Sequence, residues 1–254
     1  YQPSLLDSLP RRAFRPEGLR EALPFRGEDV LVAYELGWLN PRGRPEAAIV
    51  EIRVPCGSAN VVETGSLARY LASFAHTEFL SRQDVQKTLE LDLGMATRAP
   101  VLVALLGDEQ LQARGIGRLP GESLDAIEVD CRHYERQAAF LTVDTQARQK
   151  ETLHTGLLRC LDPLTGTPDV GALVLRYVGR PIVHKGLLRY LVSLRNERLL
   201  VEELAERVFL DTMEHCAPDQ LTVEVRFLRR DGIETGCLRS TQQDQLDPLR
   251  LPRQ

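Results

Sequence analysis

The chain has 254 residues, 43% of them hydrophobic and 27% charged, with a formal net charge of −4. That apolar content suffices for one large core or two modest ones, and basic residues scattered over an acidic chain argue against a nucleic-acid partner. No apolar run approaches the roughly 20 residues that cross a bilayer, no signal peptide is expected, and five cysteines without a C-x-x-C spacing are expected to be reduced thiols in a cytoplasmic protein.

In chain order, the first 45 residues are rich in Pro and Arg and read as an extended arm, with a strand ending near Leu39 and a turn over Arg42 to Glu46. Ala47 to Val54 reads as a strand. Leu67, Tyr70, Leu71 and Phe74 then fall at i, i+3, i+4 and i+7, which predicts one apolar face of an amphipathic helix. A second helical pattern runs from Asp84 to Leu93 and a strand from Pro100 to Leu106. Gln146 to Glu151 is the most polar stretch and the expected linker, dividing the chain into modules 1–145 and 152–254. The same order then returns: a strand over Ala172 to Val178, helices over Leu187 to Leu194 and Val201 to Met213, and a strand over Leu221 to Leu228. Leu67-Ala-Arg-Tyr-Leu-Ala-Ser-Phe74 reappears as Leu187-Leu-Arg-Tyr-Leu-Val-Ser-Leu194, with five of eight positions identical. Two copies of one unit are therefore expected, each α+β, with helices laid on one face of an antiparallel sheet.

Generic motifs are nearly absent. Gly115-Ile-Gly117-Arg-Leu-Pro-Gly121 has one residue too many for a dinucleotide fingerprint and reads as a surface turn. Cys131-Arg-His133 and His215-Cys216 are the only Cys/His neighbours along the sequence; each offers two ligands where zinc needs three or four, so no metal site is expected. His154 and His184 read as ordinary surface or core residues.

Four segments carry a resemblance: Tyr34-Glu-Leu-Gly-Trp38-Leu-Asn40, Asn60-Val-Val-Glu63-Thr-Gly-Ser66, Thr165-Gly-Thr-Pro168-Asp169-Val-Gly171 and Arg229-Arg-Asp-Gly232. They resemble the two-module QueF family of NADPH-dependent nitrile reductases, which convert 7-cyano-7-deazaguanine to its aminomethyl form. The resemblance runs nearly end to end. It implies two tandem tunnelling-fold modules, a homodimer, and a site between modules for a small heterocyclic ligand, a purine, 7-deazapurine or pterin-like ring. A glutamate anchors such a ring because a carboxylate accepts two parallel N–H bonds. The glutamates that match are Glu63 and Glu202, with Ser66 a further substrate contact.

Departures from the family pattern fall at its chemical positions. The nucleophilic Cys is Asp162 here, while the acid seven residues on is retained as Asp169. The Lys of the NADPH motif is Gly65, the ring-contacting His is Val201, and a Trp near the C-terminal Arg-Ser is Leu238. A carboxylate is a poorer nucleophile toward a nitrile than a thiolate. The expectation is therefore a cofactor-independent enzyme of hydrolase, lyase or isomerase type, with Asp162 and Asp169 as an acid and base pair. One alternative is a divergent NADPH-dependent reductase using Cys160, two positions before Asp162; another is a non-catalytic binding protein. Glu63, Glu202, Asp162 and Asp169 are expected to face one cleft.

Overall fold

A computed structural model describes residues 1–15, 19, 22–107, 109–110, 115–144, 147–247 and 249–252. The first half supplies β1 (Ser8–Pro10), β2 (Arg26–Leu39), β3 (Pro45–Pro55), β4 (Asn60–Val62), α1 (Thr64–Ala72), α2 (Arg82–Thr97) and β5 (Leu102–Leu106). The second supplies β6 (Glu122–Ser123), β7 (Gln149–Leu161), β8 (Pro168–Gly179), α3 (His184–Ser193), α4 (Val201–Cys216), β9 (Gln220–Arg230) and β10 (Ile233–Ser240). The architecture is α+β, as the repeat predicts. The main sheet runs β5-β3-β2-β10-β9-β8-β7-β6, antiparallel throughout except for the parallel β6–β7 pair.

Alternation along the strands sets the two faces. Leu31, Ala33, Leu36 and Trp38 of β2 and Val50, Ile52 and Val54 of β3 pack with Leu67, Tyr70 and Leu71 of α1 and Val85, Leu89 and Leu93 of α2. In the second half Leu153, Leu158 and Cys160 of β7 and Leu173, Leu175 and Tyr177 of β8 pack with Leu187, Tyr190, Leu191, Val208 and Phe209. Each half carries a bulge at the same place, between Ala33 and Leu36 against β3 and between Thr155 and Leu158 against β8. One extra residue shifts the parity of alternation, so Leu36 and Leu158 still face the helices.

The repeated helix preserves a specific contact as well as its apolar stripe. Tyr70 Oη donates to Asp92 Oδ2 at 2.6 Å and Tyr190 Oη to Asp211 Oδ2 at 2.7 Å. Ser73 and Ser193 each donate to the carbonyl of that tyrosine at 2.6 Å.

Two readings change. Gln146 lies outside the described residues, and Gln149-Lys150-Glu151 opens β7 instead of linking modules. Its polarity has another cause: Glu151 accepts from the buried Tyr177 hydroxyl and pairs with His184 at 3.0 Å. The strand β10 is absent from the sequence reading, yet it pairs with β2 from Ile233↔Ala33 to Ser240↔Arg26 and makes the two halves one continuous sheet.

Candidate active site

The turn joining β7 to β8 is built by Asp162. Its Oδ1 accepts from the amides of Leu164 (2.8 Å) and Thr165 (2.7 Å) and from the Thr165 hydroxyl (3.1 Å), while Gly166 takes φ +70° and donates to the Asp162 carbonyl. This is an aspartate closing its own turn, and glycine supplies the left-handed residue at least cost. At the end of β9, Arg230 reaches across: Nη1 lies 2.6 Å from Asp162 Oδ2, Nη2 lies 2.5 Å from Asp169 Oδ1, and Nη2 also donates to Thr167 Oγ1 at 2.9 Å. Burial works to raise the Asp162 carboxyl, but the turn amides, the Thr165 hydroxyl and Arg230 outweigh it and hold the group below its ordinary value. Asp169 moves the other way, raised by burial and by the Asp162 charge against the pull of Arg230.

Cys160 sits opposite Asp169 in the β7–β8 register, and directly opposed residues of an antiparallel pair share a face. The thiol is fully buried and directed at the Leu199 carbonyl, 3.7 Å away. Burial, with the Asp169 and Asp162 charges, pushes it up to about 12.

Glu63 caps α1, its two carboxylate oxygens accepting from Gly65 N at 2.7 Å and Ser66 N at 2.6 Å. An acidic cap at a helix start is favoured by the helix dipole. Ser66 is buried, with its hydroxyl committed to the backbone of Asp7 and Glu63. Glu202 lies in the first turn of α4, where burial and then the Asp29 charge push its carboxyl up to about 7 despite Arg11 and Arg239. Glu63, Asp162, Asp169, Val201, Glu202 and Arg230 line one cleft between the halves, as expected for the four carboxylates; Ser66 does not line it. The cleft holds about 60 Å³, less than a bicyclic ring needs, so a ring enters only if its walls part.

Sequence reasoning missed what lies beneath. Asp29 is buried between Arg11 and Arg239, the latter at 2.8 Å, and Arg239 also meets Glu206, which takes two bonds from Arg15 at 2.8 and 2.6 Å. Burial alone raises the Asp29 carboxyl, but Arg11 and Arg239 overcome it and hold the group low. Two signals were available: Asp29 continues the inward alternation of Leu31 and Ala33, and Glu206 sits among the inward residues Leu204, Ala205, Val208 and Phe209. A charge on an apolar face calls for a buried partner.

Arg11 and Arg15 also line a neighbouring cavity of about 540 Å³, together with Arg12, Arg98, Ser58 and Asn60. Among the described residues, Glu122, Glu151 and His184 form a group whose ligand atoms lie within 4.8 Å of one another, close enough to hold a metal ion. They come from β6, β7 and α3, which is why a search of sequence neighbours passed over them, and none of them lines the cleft.

Residues 1–105 match the N-terminal model of the 7-cyano-7-deazaguanine nitrile reductases, and residues 168–246 match the model of QueF-like proteins. The NADPH-dependent 7-cyano-7-deazaguanine reductases of Burkholderia mallei (strain SAVP1), Burkholderia pseudomallei (strain 668) and Burkholderia thailandensis are each 41% identical over 257 residues, covering 100% of this chain and 94% of theirs. The chain belongs to this family. Among solved structures, an archaeosine synthase QueF-Like in the apo form is 18% identical with a TM-score of 0.33, over 38% of this chain and 95% of that one.

Family membership corrects three expectations. Full-length relatives are NADPH-dependent reductases, which overturns the cofactor-independent reading, the preference for hydrolase, lyase or isomerase chemistry, and carboxylate acid and base chemistry in place of nitrile reduction. One physical reason is visible at Asp162, whose bonding capacity is spent on its turn and Arg230.

Proposed function

We propose that this chain reduces the nitrile of 7-cyano-7-deazaguanine, or of a close 7-deazapurine relative, with NADPH. The observation that carries the reading is 41% identity to such reductases over the whole chain, supported by a cleft where Glu63, Asp162, Asp169 and Glu202 converge. Glu202 anchors the ring edge through two N–H bonds once ionised. Glu63, held by its helix cap, bounds the opposite wall. Cys160 is the thiol on the same face as Asp169; it does not line the cleft until the walls part, and then it adds across the nitrile: the S–C bond forms, one C≡N π bond breaks, and the thiol proton passes through the Asp169 carboxylate to the nitrile nitrogen. Burial suppresses the Cys160 thiolate, so this step requires Asp169 to accept that proton as the sulfur attacks.

The residues beside the cleft suit a polyanionic cofactor, since Arg11 Nη1 is a buried donor without a partner and the cavity that Arg11 lines has no carboxylate in its wall among the described residues. NADPH, when bound, supplies the two hydride equivalents that take a nitrile to an aminomethyl group. A homodimer and a cytoplasmic setting are part of this proposal; no helix among the described residues is long and apolar enough to cross a membrane.

The test is nitrile-dependent NADPH oxidation by the full chain, expected at two NADPH per nitrile consumed. Cys160→Ser should abolish it, while Asp162→Asn should leave it within about tenfold. A second reading, binding of the ring without reduction, is favoured by the buried thiol at about 12. Thermal stabilisation by the ring with no NADPH oxidation decides for that second reading.

A further inference from the structure

We propose that the cavity lined by Arg11, Arg12, Arg15 and Arg98 is a phosphate site for a nucleotide and, on the reductase reading on which this assignment rests, that it takes the 2′-phosphorylated ribose of NADPH. Its wall holds four guanidinium groups with Ser8, Ser58 and Asn60, and no carboxylate among the described residues. Two of the arginines have protein partners on their other side, Arg11 with Asp29 and Arg15 with Glu206. The other two, Arg12 and Arg98, have neither a side-chain hydrogen bond nor an ion pair among the described residues. Arg12 and Arg98 thus bring two cations without a counter-charge among the described residues to one cavity, and such like charges repel unless an anion enters.

Arg11 adds an independent mark of a missing ligand. It is only 4% exposed, its Nε donates to Ser58 Oγ at 2.9 Å and its Nη2 to Asp29, but its Nη1 has no hydrogen-bond partner among the described residues. Buried polar groups are paired in the large majority of cases, so an orphaned nitrogen on an arginine that lines the cavity marks an unmet acceptor. Phosphate is the acceptor whose geometry best matches a planar guanidinium fork, through two parallel N–H bonds.

Size and position narrow the class. The cavity of about 540 Å³ falls within the roughly 300–1,000 Å³ range of small-molecule sites and has room for a phosphorylated ribose beyond a lone phosphate. A narrow recess beside it is lined by Arg11, Arg15 and Val61 and by the carboxylates Glu202, Glu203 and Glu206, and Val61 and Glu202 also line the reaction cleft. One continuous wall thus joins the arginines to the carboxylate that anchors the ring.

The experiment is calorimetry on the full chain with NADPH, NADH, adenosine 2′,5′-bisphosphate and inorganic phosphate, comparing the native sequence with the exposed-site double variant Arg12→Ala, Arg98→Ala. The variant should bind NADPH about ten- to a hundredfold more weakly and lose adenosine 2′,5′-bisphosphate in step, with NADH little changed, and Arg12→Lys, Arg98→Lys should recover part of the loss. NADPH affinity within twofold of native in the alanine variant overturns the NADPH assignment. If the phosphates alone weaken in that case, the cavity serves another phosphorylated ligand; if none of the four compounds depends on these arginines, the phosphate site itself is overturned. Arginine-dependent nucleotide binding without nitrile turnover supports the site and sinks only the reductase reading.

Discussion

The two β-turns that follow the long first strand of each half have the same design, and only one of them is a site. Asn40-Pro41-Arg42-Gly43-Arg44 closes the first: Asn40 Oδ1 accepts from the amides of Arg42 and Arg44, and Gly43 takes φ +71°. Asp162-Pro163-Leu164-Thr165-Gly166-Thr167 closes the second, one residue longer, with Asp162 Oδ1 accepting from the amides two and three residues on and Gly166 at φ +70°. The neutral turn ends in an exposed Arg44–Glu46 pair at 3.4 Å. The charged one gains a long-range clamp, Arg230, and a second carboxylate, Asp169, across the strand pair. Local turn chemistry is thus common to both copies, and the site was made by adding charge to one of them and a distant arginine to neutralise it.

The helix pairs show the same division of labour. Both tyrosines hold an aspartate of the following helix, but Asp92 takes its second donor from Tyr1 Oη at 2.5 Å, whereas Asp211 receives Arg136 through Nε at 2.8 Å and through Nη2. A repeated sequence fixes the contact inside each unit; the segment that arrives from outside differs.

The largest effect is expected at the clamp. Arg230→Ala leaves two partly buried carboxylates facing each other and should cost about 2–3 kcal/mol at pH 7, against less than about 0.5 kcal/mol for Arg44→Ala in the other turn. Chemical denaturation of both variants measures it, and equal costs would mean that the two turns do not differ as described.

Next come the tyrosines. Tyr70→Phe should cost about 1.5–3 kcal/mol, because Asp92 keeps only the Tyr1 hydroxyl, and Tyr190→Phe about 1 kcal/mol, because Asp211 keeps its guanidinium. A reversed order in urea titrations would show that Tyr1 replaces the lost bond better than Arg136 does.

The pH dependence of Glu202 is smaller. Its folded value is raised, so the stability it contributes is fully present below the ordinary carboxyl value and is lost as pH rises through about 7. Glu202→Gln should flatten stability between about pH 4.5 and 7 relative to the native chain, and affinity for a guanine-like ring in the native chain should climb over the same interval as the carboxylate forms. Parallel stability profiles for the two proteins would remove the buried-carboxylate account.

The smallest effects belong to exchange between the turns. Asn40→Asp and Asp162→Asn should each change stability by less than about 1 kcal/mol, since either side chain accepts the same turn amides. A loss of several kcal/mol in Asp162→Asn, read by thermal melts, would make the Arg230 contact the main bond of that turn.

By itself the sequence determined the elements and their faces. Alternation in Ala47 to Val54 and the i, i+3, i+4, i+7 stripe from Leu67 are properties of neighbouring residues, and the copy beginning at Leu187 placed the second pair of helices on a second antiparallel unit. It also placed the four carboxylates in one cleft, through positions carried over from the family motifs. The strand β10 escaped because Glu234, Gly236 and Arg239 interrupt its apolar pattern, and all three are accommodated only by contacts elsewhere: Glu234 lies 3.9 Å from the Arg250 guanidinium, Gly236 lies under Leu246, and Arg239 between Asp29 and Glu206. Tertiary structure alone decided the charge balance of the site. Arg230 meets a carboxylate 68 residues away, Arg15 one 191 away and Arg239 one 210 away. Such pairs leave no periodic trace along the chain, because a buried charge is stabilised by whatever the fold brings to it and not by the residues beside it.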